Sequence, residues 1–521
     1  MPSATRLSAL CLASCLTLPG AAAFAQALPD FDATAKAAID AYDATGMTAA
    51  VMVDGETVYT GAYGVMRQGR KTPVTEDTLF PIASISKAFT TTALAILVDR
   101  GQVDWDAPLK TYIPEFEMSD PWVTEHFTLR DALTHRSGLP LGAGDLLIWP
   151  DGQANVEEVI AALPHLRPST EFRSEYAYDN LLYIVAGEVV ARVSGMSWSD
   201  FVTQEILEPV GMTECASDKT RIRKGQPVVT GHEREPGAED GVPVPKELEF
   251  SMTWAATGGI FCTAPGMMKW AKFWLDDGVT ADGTRLISEE QFKEVWTGVT
   301  PTGVGGALAK RGASHLSLYA LGWSVMDFEG KLAVTHSGGA PGVVSRLILI
   351  PEEDIAIFAS ANDYRATAST FAWQVADDLI NGRDEDSIAA SKISFAESLV
   401  KARAQLDGAI SPPADAQAPS LPLNAYTGVY SDPWYGEVEI RRQGKGLYID
   451  MGQSNLLDGP LTPYNGDQFV AFWPNRSLKA DAFVNFIVED GEVSGLTMKA
   501  VSDITDFSYD FHDLDLEKVS D

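Results

Sequence analysis

Residues 82–89, IASISKAF, open a long apolar helical pattern. The pattern runs from about Ser84 to Arg100 and ends before Gly101. Ser84 and Lys87 are three residues apart, so their side chains lie on one helical face. A serine hydroxyl needs a base in contact to act as a nucleophile, and a lysine whose pKa is lowered by burial can be that base. The segment therefore predicts a serine nucleophile at a helix N-terminus, where free N–H groups favour an oxyanion.

Two further segments carry polar groups suited to the same chemistry. Tyr178 and Asn180 form Tyr-x-Asn at the head of another apolar helix. A tyrosinate can take a proton where cations lower its pKa, and an asparagine amide can bond both a lysine and a substrate carbonyl. His336 precedes Gly338 and Gly339, whose missing side chains let a substrate approach the strand backbone. Each motif alone also fits a capped helix or a surface strand, so the prediction depends on their convergence.

Composition and charge exclude several classes of function. The 521 residues have a formal net charge of −33, with 45% hydrophobic and 21% charged residues, which is typical of a globular protein. Such an acidic surface repels nucleic acid, and it is not attracted electrostatically to an anionic membrane. The acidity is explained by solubility, with steering of a cationic substrate as the alternative. The sequence contains no His-Glu-x-x-His or Cys-x-x-Cys motif, and we expect neither a metal nor a cofactor.

Residues 1–25 have the pattern of a secretory signal peptide. Arg6 precedes a short apolar run, and residues 23–25, Ala-Phe-Ala, form a cleavage signal ahead of Gln26. A lipoprotein signal at Cys15 is the less favoured alternative. We therefore expect a periplasmic or secreted protein, with no transmembrane span after cleavage.

The mature chain divides into segments of different pattern. Residues 31–385 begin with a helix and a hairpin, continue through a helical middle, and end with a pair of strands. This order predicts one α/β domain whose mixed antiparallel sheet is assembled from both ends. Residues 386–422 form a helical and Pro/Ala-rich linker. Residues 423–510 predict a small antiparallel barrel or sandwich, and residues 511–521 an acidic tail.

Two cysteines, Cys215 and Cys262, follow the signal segment. Two cysteines in a chain of this size do not make a disulfide framework. They can pair if the fold brings them close, but we expect two separate buried thiols.

In this order, Ser-x-x-Lys, Tyr-x-Asn and a basic-x-Gly triplet resemble the signature of class C serine β-lactamases and penicillin-binding proteins. Supporting segments are LTHRSGLP at 133–140, PVGM at 209–212, ATGGIFCT at 256–263 and LGW at 321–323. The resemblance covers about residues 31–385. It implies an α/β domain beside a helical domain, with the active site between them.

The resemblance also implies roles for individual residues. Ser84 becomes the acylated nucleophile, and Lys87 and Tyr178 share proton transfer. Asn180 contacts Lys87 and the substrate amide. The backbone N–H groups of Ser84 and Gly339 form the oxyanion hole.

His336 departs from the commonest family pattern, because many relatives carry lysine there in a Lys-Thr-Gly triplet. Histidine is similar to a branch of esterases, D-amino-acid peptidases and related amidohydrolases, and it argues against efficient β-lactam hydrolysis. The C-terminal region resembles the lipocalin-like β domain of some peptidases in this branch. In such relatives this module shapes the cleft or supports oligomers, so an oligomer formed through it is possible.

The sequence therefore predicts an exported serine hydrolase that cleaves amide bonds of small peptides or related small molecules through an acyl-enzyme. An esterase with the same machinery is the first alternative. A β-lactamase, and a penicillin or peptidoglycan sensor that is acylated without turnover, are the others.

Overall fold

The computed structural model describes residues 28–234, 242–244, 252–382 and 386–520. The predicted signal peptide, its cleavage site and Cys15 lie outside the described residues. The described chain forms an α/β body followed by a closed β-barrel, which confirms the predicted fold class.

The main sheet contains eight strands. In chain order they are β1 (Gly46–Val53), β2 (Glu56–Gly64), β3 (Thr300–Thr302), β4 (Ser317–Tyr319), β5 (Ser324–Phe328), β6 (Lys331–Ala340), β7 (Val343–Ile350) and β8 (Ile355–Ala361). Their spatial order is β2-β1-β8-β7-β6-β5-β4-β3, and all neighbours are antiparallel. The N-terminal hairpin thus pairs with β8, and the sheet is assembled from both ends of the domain.

Helices cover both faces of this sheet. The longer ones are α1 (Phe31–Tyr42), α2 (Ser86–Asp99), α3 (Leu181–Ser194), α4 (Ala264–Leu275), α5 (Thr367–Asn381) and α6 (Ser387–Ile410). Shorter α-helical segments are Pro121–His126, Leu129–Leu133, Val156–Ala162, Trp198–Val202, Glu208–Val210, Ala255–Gly258, Glu289–Val295 and Gly306–Arg311. No single helix among the described residues has the length and apolar composition to cross a membrane. One pair bent by 77°, Leu181–Ser194 with Trp198–Val210, meets those criteria only when its two parts are taken together.

The side chains of β7 show how the sheet separates two cores. Ile348 and Ile350 pack in the cluster that contains residues of α1 and α5. Leu347 and Leu349 pack in the cluster that contains residues of α2, α3 and α4. Successive strand residues point to opposite faces, so this unbroken apolar run serves both layers. The functional candidates from the sequence lie on the side of the helical region.

The barrel follows α6 and consists of eight antiparallel strands. They are β9 (Gly428–Asp432), β10 (Gly436–Gln443), β11 (Gly446–Asp450), β12 (Asp458–Asn465), β13 (Gln468–Ala471), β14 (Ala482–Glu489), β15 (Glu492–Ala500) and β16 (Asp515–Ser520). The prediction of an acidic tail at residues 511–521 is wrong in this respect, because β16 pairs with both β9 and β15. Leu514 and Leu516 are buried, and polar residues alternate with them. Closing the barrel leaves neither edge strand unpaired.

Cys215 and Cys262 form a disulfide, so the expectation of two separate thiols is wrong. Ala216 and Phe261 exchange backbone hydrogen bonds, with N–O distances of 2.8 and 2.9 Å. This pairing brings the Cα atoms of the two cysteines to 4.3 Å, although 47 residues separate them in sequence. The disulfide therefore depends on a contact between two segments that are distant in sequence, and no local sequence pattern predicts that contact.

Candidate active site

Ser84 lies in a short 3₁₀ turn, Ala83–Ile85, directly before α2. Ala83 has a φ of 49°, in the left-handed region that residues with a side chain rarely adopt. Such backbone strain persists only where the surrounding structure holds it. Here Ser345 on β7 donates a hydrogen bond of 2.8 Å to the carbonyl of Ile82. The half-buried Ser84 side chain is thus presented from a turn fixed against the sheet.

Lys87 is fully buried beneath Ser84. Its Nζ lies 3.2 Å from Ser84 Oγ and donates to Asn180 Oδ1 at 2.8 Å. Thr257 supplies two further acceptors, Oγ1 at 2.5 Å and the main-chain carbonyl at 3.2 Å. None of these partners is a carboxylate, so within the described residues the amine is surrounded by neutral oxygens only.

The charge state of Lys87 follows from these surroundings. Burial lowers the pKa of Lys87 to about 7, although the nearby carboxyls of Asp145 and Asp179 act in the opposite direction. Burial also raises the pKa of Asp145 to about 8 and that of Asp179 to about 7. Because burial disfavours every charged form, both carboxyls and the amine can be neutral near pH 7. A neutral amine in contact with Ser84 has a lone pair that can accept the serine proton.

Tyr178 covers the amine from the other side. Lys87 Nζ lies 4.7 Å from the centroid of the Tyr178 ring. Burial holds the pKa of Tyr178 well above its ordinary value, and contact with Ser84 opposes this only in part. Its buried hydroxyl has no hydrogen-bond partner of standard geometry in the described part of the chain. Tyr178 therefore rests as a phenol, a proton donor, and not as the tyrosinate that the sequence argument considered.

A chain of hydrogen bonds links Asn180 to the barrel. Asn180 accepts from Lys87 through Oδ1 and donates from Nδ2 to Asp145 Oδ2 at 2.8 Å. Ser508, beyond the last long barrel strand β15, donates to the same carboxyl oxygen at 2.7 Å. Asp510 accepts from two main-chain N–H groups, at 2.7 and 3.0 Å, in the turn that carries Asp145. The barrel thus helps to orient the amide that contacts Lys87.

His336 is buried on β6, at the end of the cleft nearest Tyr319. Its Nδ1 lies 2.6 Å from the carbonyl of Ser337, and its Nε2 lies 2.9 Å from the Tyr319 hydroxyl. A carbonyl can only accept, so Nδ1 carries the proton and Nε2 accepts from Tyr319. Burial, with Lys87 as a second cause, lowers the pKa of His336 to about 3. The imidazole is therefore neutral and does not provide a cation at this position.

Gly338 and Gly339 lie where β6 borders the cleft. β5 pairs with β6 only from Lys331 to Thr335, so β6 has β7 alone as a strand partner at the two glycines. A Cβ at Gly338 would lie 2.1 Å from the carbonyl oxygen of Ile82, which shows how closely the strand approaches the Ser84 turn. A Cβ at Gly339 would meet the Tyr364 hydroxyl at 3.1 Å. The absent side chains thus permit both the close contact and access to the strand edge.

These residues surround a cavity of about 620 Å³. Six of the seven site residues predicted from sequence line this cavity: Ser84, Tyr178, Asn180, His336, Gly338 and Gly339. The seventh, Lys87, is buried beneath Ser84. The barrel supplies Asp506, Phe507 and Ser508 to the same lining. The Phe507 ring lies 6.0 Å from that of Tyr178. The cleft is therefore bounded by the sheet, the helical region and the barrel together.

Four residues of this network were not identified from sequence as site residues. Thr257 lies in one of the supporting family segments, and that position was the available signal. Asp145, Ser508 and Asp510 belong to no motif, and only the folded chain brings them to Asn180. No group of three or more His, Cys, Asp or Glu side chains is placed to hold a metal ion in the ranges that the structure describes.

Comparison with known sequences and structures gives matches over both bodies. The sequence model of a family described as beta-lactamase matches residues 31–379. A second model, described as a domain of unknown function (DUF3471), matches residues 412–518. The barrel region is thus recognised as a unit to which that description attaches no activity.

Individual relatives are distant but cover much of the chain. An unguisins hydrolase of Aspergillus campestris is 29% identical over 79% of this chain and 77% of its own length. Penicillin-binding protein 4 of Amycolatopsis lactamdurans is 26% identical over 62% of this chain and 82% of its own. The structure of the octameric penicillin-binding protein homologue from Pyrococcus abyssi covers 94% of this chain and 99% of its own, with a TM-score of 0.60 and 20% identity. At that identity the structural likeness shows the fold alone.

The contact between β6 and the Ser84 turn leads to a prediction about Gly338. Gly338→Ala places a methyl group 2.1 Å from a backbone carbonyl that cannot move freely, because Ser345 is hydrogen-bonded to it. We expect the free energy of unfolding to fall by about 1–3 kcal/mol, as for other overpacked sites. Urea denaturation measures this change.

Gly339→Ala is the matched control for this prediction. Its added methyl group meets a phenol oxygen at 3.1 Å, and a side chain can shift more easily than backbone. The loss of stability should be clearly smaller than for Gly338→Ala. Equal stabilities for the two variants would show that the close approach at Gly338 is not as described.

Proposed function

Because this chain belongs to the beta-lactamase family and is a serine hydrolase, we propose that it cleaves amide bonds of small peptides through an acyl-enzyme on Ser84. The observation that carries the proposal is the contact of 3.2 Å between Ser84 Oγ and a buried Lys87 amine whose pKa is about 7. Such an amine is neutral in a large fraction of molecules at neutral pH, and it is already in place to accept the serine proton.

In the proposed acylation, Ser84 Oγ forms a bond to the substrate carbonyl carbon while its proton passes to Lys87. As the C–N bond breaks, the leaving nitrogen receives a proton from the Lys87 and Tyr178 pair. Water then adds its hydroxyl group to the acyl carbon, and its remaining proton restores the Ser84 hydroxyl. Atoms and charges balance over the cycle, and no group outside this chain, the substrate and water takes part.

Stabilisation of the developing oxyanion comes from backbone N–H groups in this proposal. The N–H of Ser84 lies in the turn before α2, and the N–H of Gly339 lies on the strand that borders the cleft. Donors held by the backbone need no reorganisation during the reaction. The close approach of Gly338 to the Ile82 carbonyl oxygen brings β6 against the turn that carries Ser84.

The acid in the site supports an amide substrate in particular. An amine leaves an acyl carbon only if its nitrogen is protonated, whereas many alkoxides and phenolates need less help. Tyr178 is a buried phenol beside Ser84 and Lys87, and in this proposal it supplies the proton that amide cleavage requires. The neutral state of His336 argues against a β-lactamase, because it leaves that position without a cation for the β-lactam carboxylate.

Export is the second part of the proposal. The N-terminal pattern of a positive residue, a short apolar run and Ala-Phe-Ala before Gln26 supports a cleaved signal peptide. The disulfide between Cys215 and Cys262 supports an oxidising compartment, since such bonds are rare where thiols are kept reduced. We propose that the protein acts in the periplasm or outside the cell.

Substitution of the two central residues tests the chemistry. We expect Ser84→Ala to abolish both peptide turnover and labelling by a fluorophosphonate probe. Lys87→Met should lower kcat by about 1,000-fold or more, because it removes the base used in the transition state. Ser86→Ala, two residues along the same helix, is the control and should keep the label. An active Ser84→Ala enzyme would refute the proposal. Turnover of esters or of nitrocefin, measured beside the peptides, would instead support the esterase or the β-lactamase alternative.

The pH profile tests the assignment of the base. Only neutral Lys87 accepts a proton, so kcat/KM should rise with pH through an acid limb near the Lys87 pKa of about 7 and then level off. In Asp145→Asn the limb should move to lower pH, because the ionised form of the Asp145 carboxyl raises the pKa of Lys87 and the amide of asparagine has no charged form. A profile with no acid limb between about pH 5 and pH 9 would contradict the role of Lys87.

Intact-mass measurement tests export. Protein recovered from the periplasm or the medium should begin at Gln26 and should be lighter by the two thiol hydrogens lost on forming the Cys215–Cys262 bond. Reduction should restore that mass. A full-length chain recovered only from the cytoplasm would refute this part of the proposal.

A further inference from the structure

Two tryptophan side chains, Trp149 and Trp254, line the cavity of about 620 Å³ that contains Ser84. Their indole rings are stacked, with centroids 5.1 Å apart and planes inclined by 20°. Trp254 Nε1 donates a hydrogen bond of 2.7 Å to the carbonyl of Ile148, which fixes the orientation of its ring. Ile148 lines the same cavity. The cleft thus contains a preformed apolar surface that takes no part in the proposed proton transfers.

The barrel supports this surface from behind. Tyr509, which is buried beyond β15, meets Trp149 edge to face, with ring centroids 6.2 Å apart and planes at 78°. Tyr509 is itself stacked on Phe511 at 5.8 Å. Trp149 remains partly exposed in spite of these contacts. Because the two indoles are already held in place, a ligand that binds them loses little free energy to ordering of the protein.

The tryptophan pair adjoins the reacting groups. A Cβ at Gly258 would lie 3.6 Å from Trp254 Cε3 and 3.6 Å from the carbonyl carbon of Ala83, so this glycine adjoins both the indole and the turn that carries Ser84. The main-chain N–H of Trp149 donates to the carbonyl of Asp145 at 2.7 Å. The carboxyl of Asp145 binds Asn180, so Trp149 belongs to the turn that orients this amide.

The place of the proton donor indicates which part of a substrate meets the tryptophans. The leaving group must reach Tyr178, whose ring lies 6.4 Å from the rings of both Tyr319 and His336. The leaving group therefore lies towards β4 and β6, the strands that carry those two residues. Trp254 instead approaches the nucleophile from the helical region, beside Gly258. The other substituent of the scissile carbonyl, the acyl part, extends in that direction.

We propose that Trp149 and Trp254 bind an aromatic or other large apolar side chain on the acyl part of the substrate, the part that stays on Ser84 after the leaving group departs. The inference rests on the proposed acyl-enzyme and specifies its acyl group. Burial of an apolar side chain against this surface is favourable, and stacking on an indole adds to it. An apolar wall with a few polar groups in a concave site is typical of small-molecule sites.

Boronic acids test this inference without any leaving group. The Ser84 oxygen bonds to boron, its proton is released to solvent, and the adduct carries one organic group in the place of the acyl part. We compare 2-phenylethylboronic acid with methylboronic acid by the protection that each gives Ser84 against a fluorophosphonate probe. The wild type should bind the phenylethyl compound more tightly by on the order of 10- to 100-fold, the range for burial of one aromatic side chain.

Three variants assign this preference to the tryptophan surface. Trp149→Ala should lose most of the preference for the phenylethyl compound, and Trp149→Phe, which keeps an aromatic ring, should retain most of it. Trp122→Ala is the matched control, because Trp122 is exposed and stacks on His126 outside the cleft. It should keep the wild-type ratio. Methylboronic acid should bind all variants as it binds the wild type, which shows that Ser84 is still in place.

Substrates give the second measurement. Acetyl-phenylalanyl-alanine should exceed acetyl-glycyl-alanine in kcat/KM, in at least one stereochemical series, and Trp149→Ala should reduce the difference. If no peptide is cleaved, p-nitrophenyl 3-phenylpropionate and p-nitrophenyl acetate replace them, and the same preference for the larger acyl group is expected. That result would support the tryptophan site and refute the peptidase.

The outcomes separate this inference from the function on which it rests. Equal protection of the wild type by the two boronic acids would overturn the tryptophan site and leave the acyl-enzyme standing. A phenylethyl preference that Trp149→Ala does not reduce would overturn it as well. Failure of both boronic acids and of the fluorophosphonate probe to react with the wild type would refute Ser84 as the nucleophile, and with it the proposed function.

Discussion

The burial of the Lys87 amine among neutral oxygens is the constraint on which the site depends. The Lys87 side chain is fully buried, and Ser84, Asn180 and Thr257 supply every hydrogen-bond partner that the structure describes for Nζ. A carboxylate in direct contact would hold the proton on nitrogen and leave the serine without a base. The fold instead keeps Asp145 one hydrogen bond further away, behind the Asn180 amide. The pKa of about 7 is the consequence of this arrangement.

The barrel is part of the same arrangement, although the sequence separates it from Lys87 by more than three hundred residues. Ser508 and Asp510 bind the turn that carries Asp145, and Asp145 in turn orients Asn180. Lys479 of the barrel also pairs with the buried Glu233 of the α/β body at 2.5 Å. Through Asp145, these contacts connect a domain without a catalytic motif to the surroundings of the Lys87 amine. The barrel also adds Asp506 and Phe507 to the lining of the cleft.

The cleft is asymmetric in charge along β6. Near Gly339 it is bounded by Tyr364 and by the barrel residues Asp506 and Phe507. Near Ser337 it is bounded by hydroxyl groups and by Arg346, with Arg365 on the same wall. The lining of the cleft therefore differs between the Gly339 end and the Ser337 end of this part of β6.

Much of this could be predicted from the sequence, because local patterns encode local geometry. The spacing of Ser84 and Lys87, the Tyr-x-Asn at a helix head and the glycines after His336 are short-range features, and together they identified the three segments that meet at the cleft. The apolar runs of β7 and β8 likewise predicted strands of one sheet. What the sequence determined was therefore the set of reactive groups and the elements that carry them.

The tertiary structure decided the features that depend on distant contacts and on exclusion of water. It paired Cys215 with Cys262, closed the barrel with β16, and brought Asp145 and Ser508 to Asn180. It also made Tyr178 a phenol and His336 a neutral imidazole, since a pKa depends on burial and on neighbours that are far away in the chain. Sequence patterns record the identity of a side chain, but its desolvation exists only once the chain is packed.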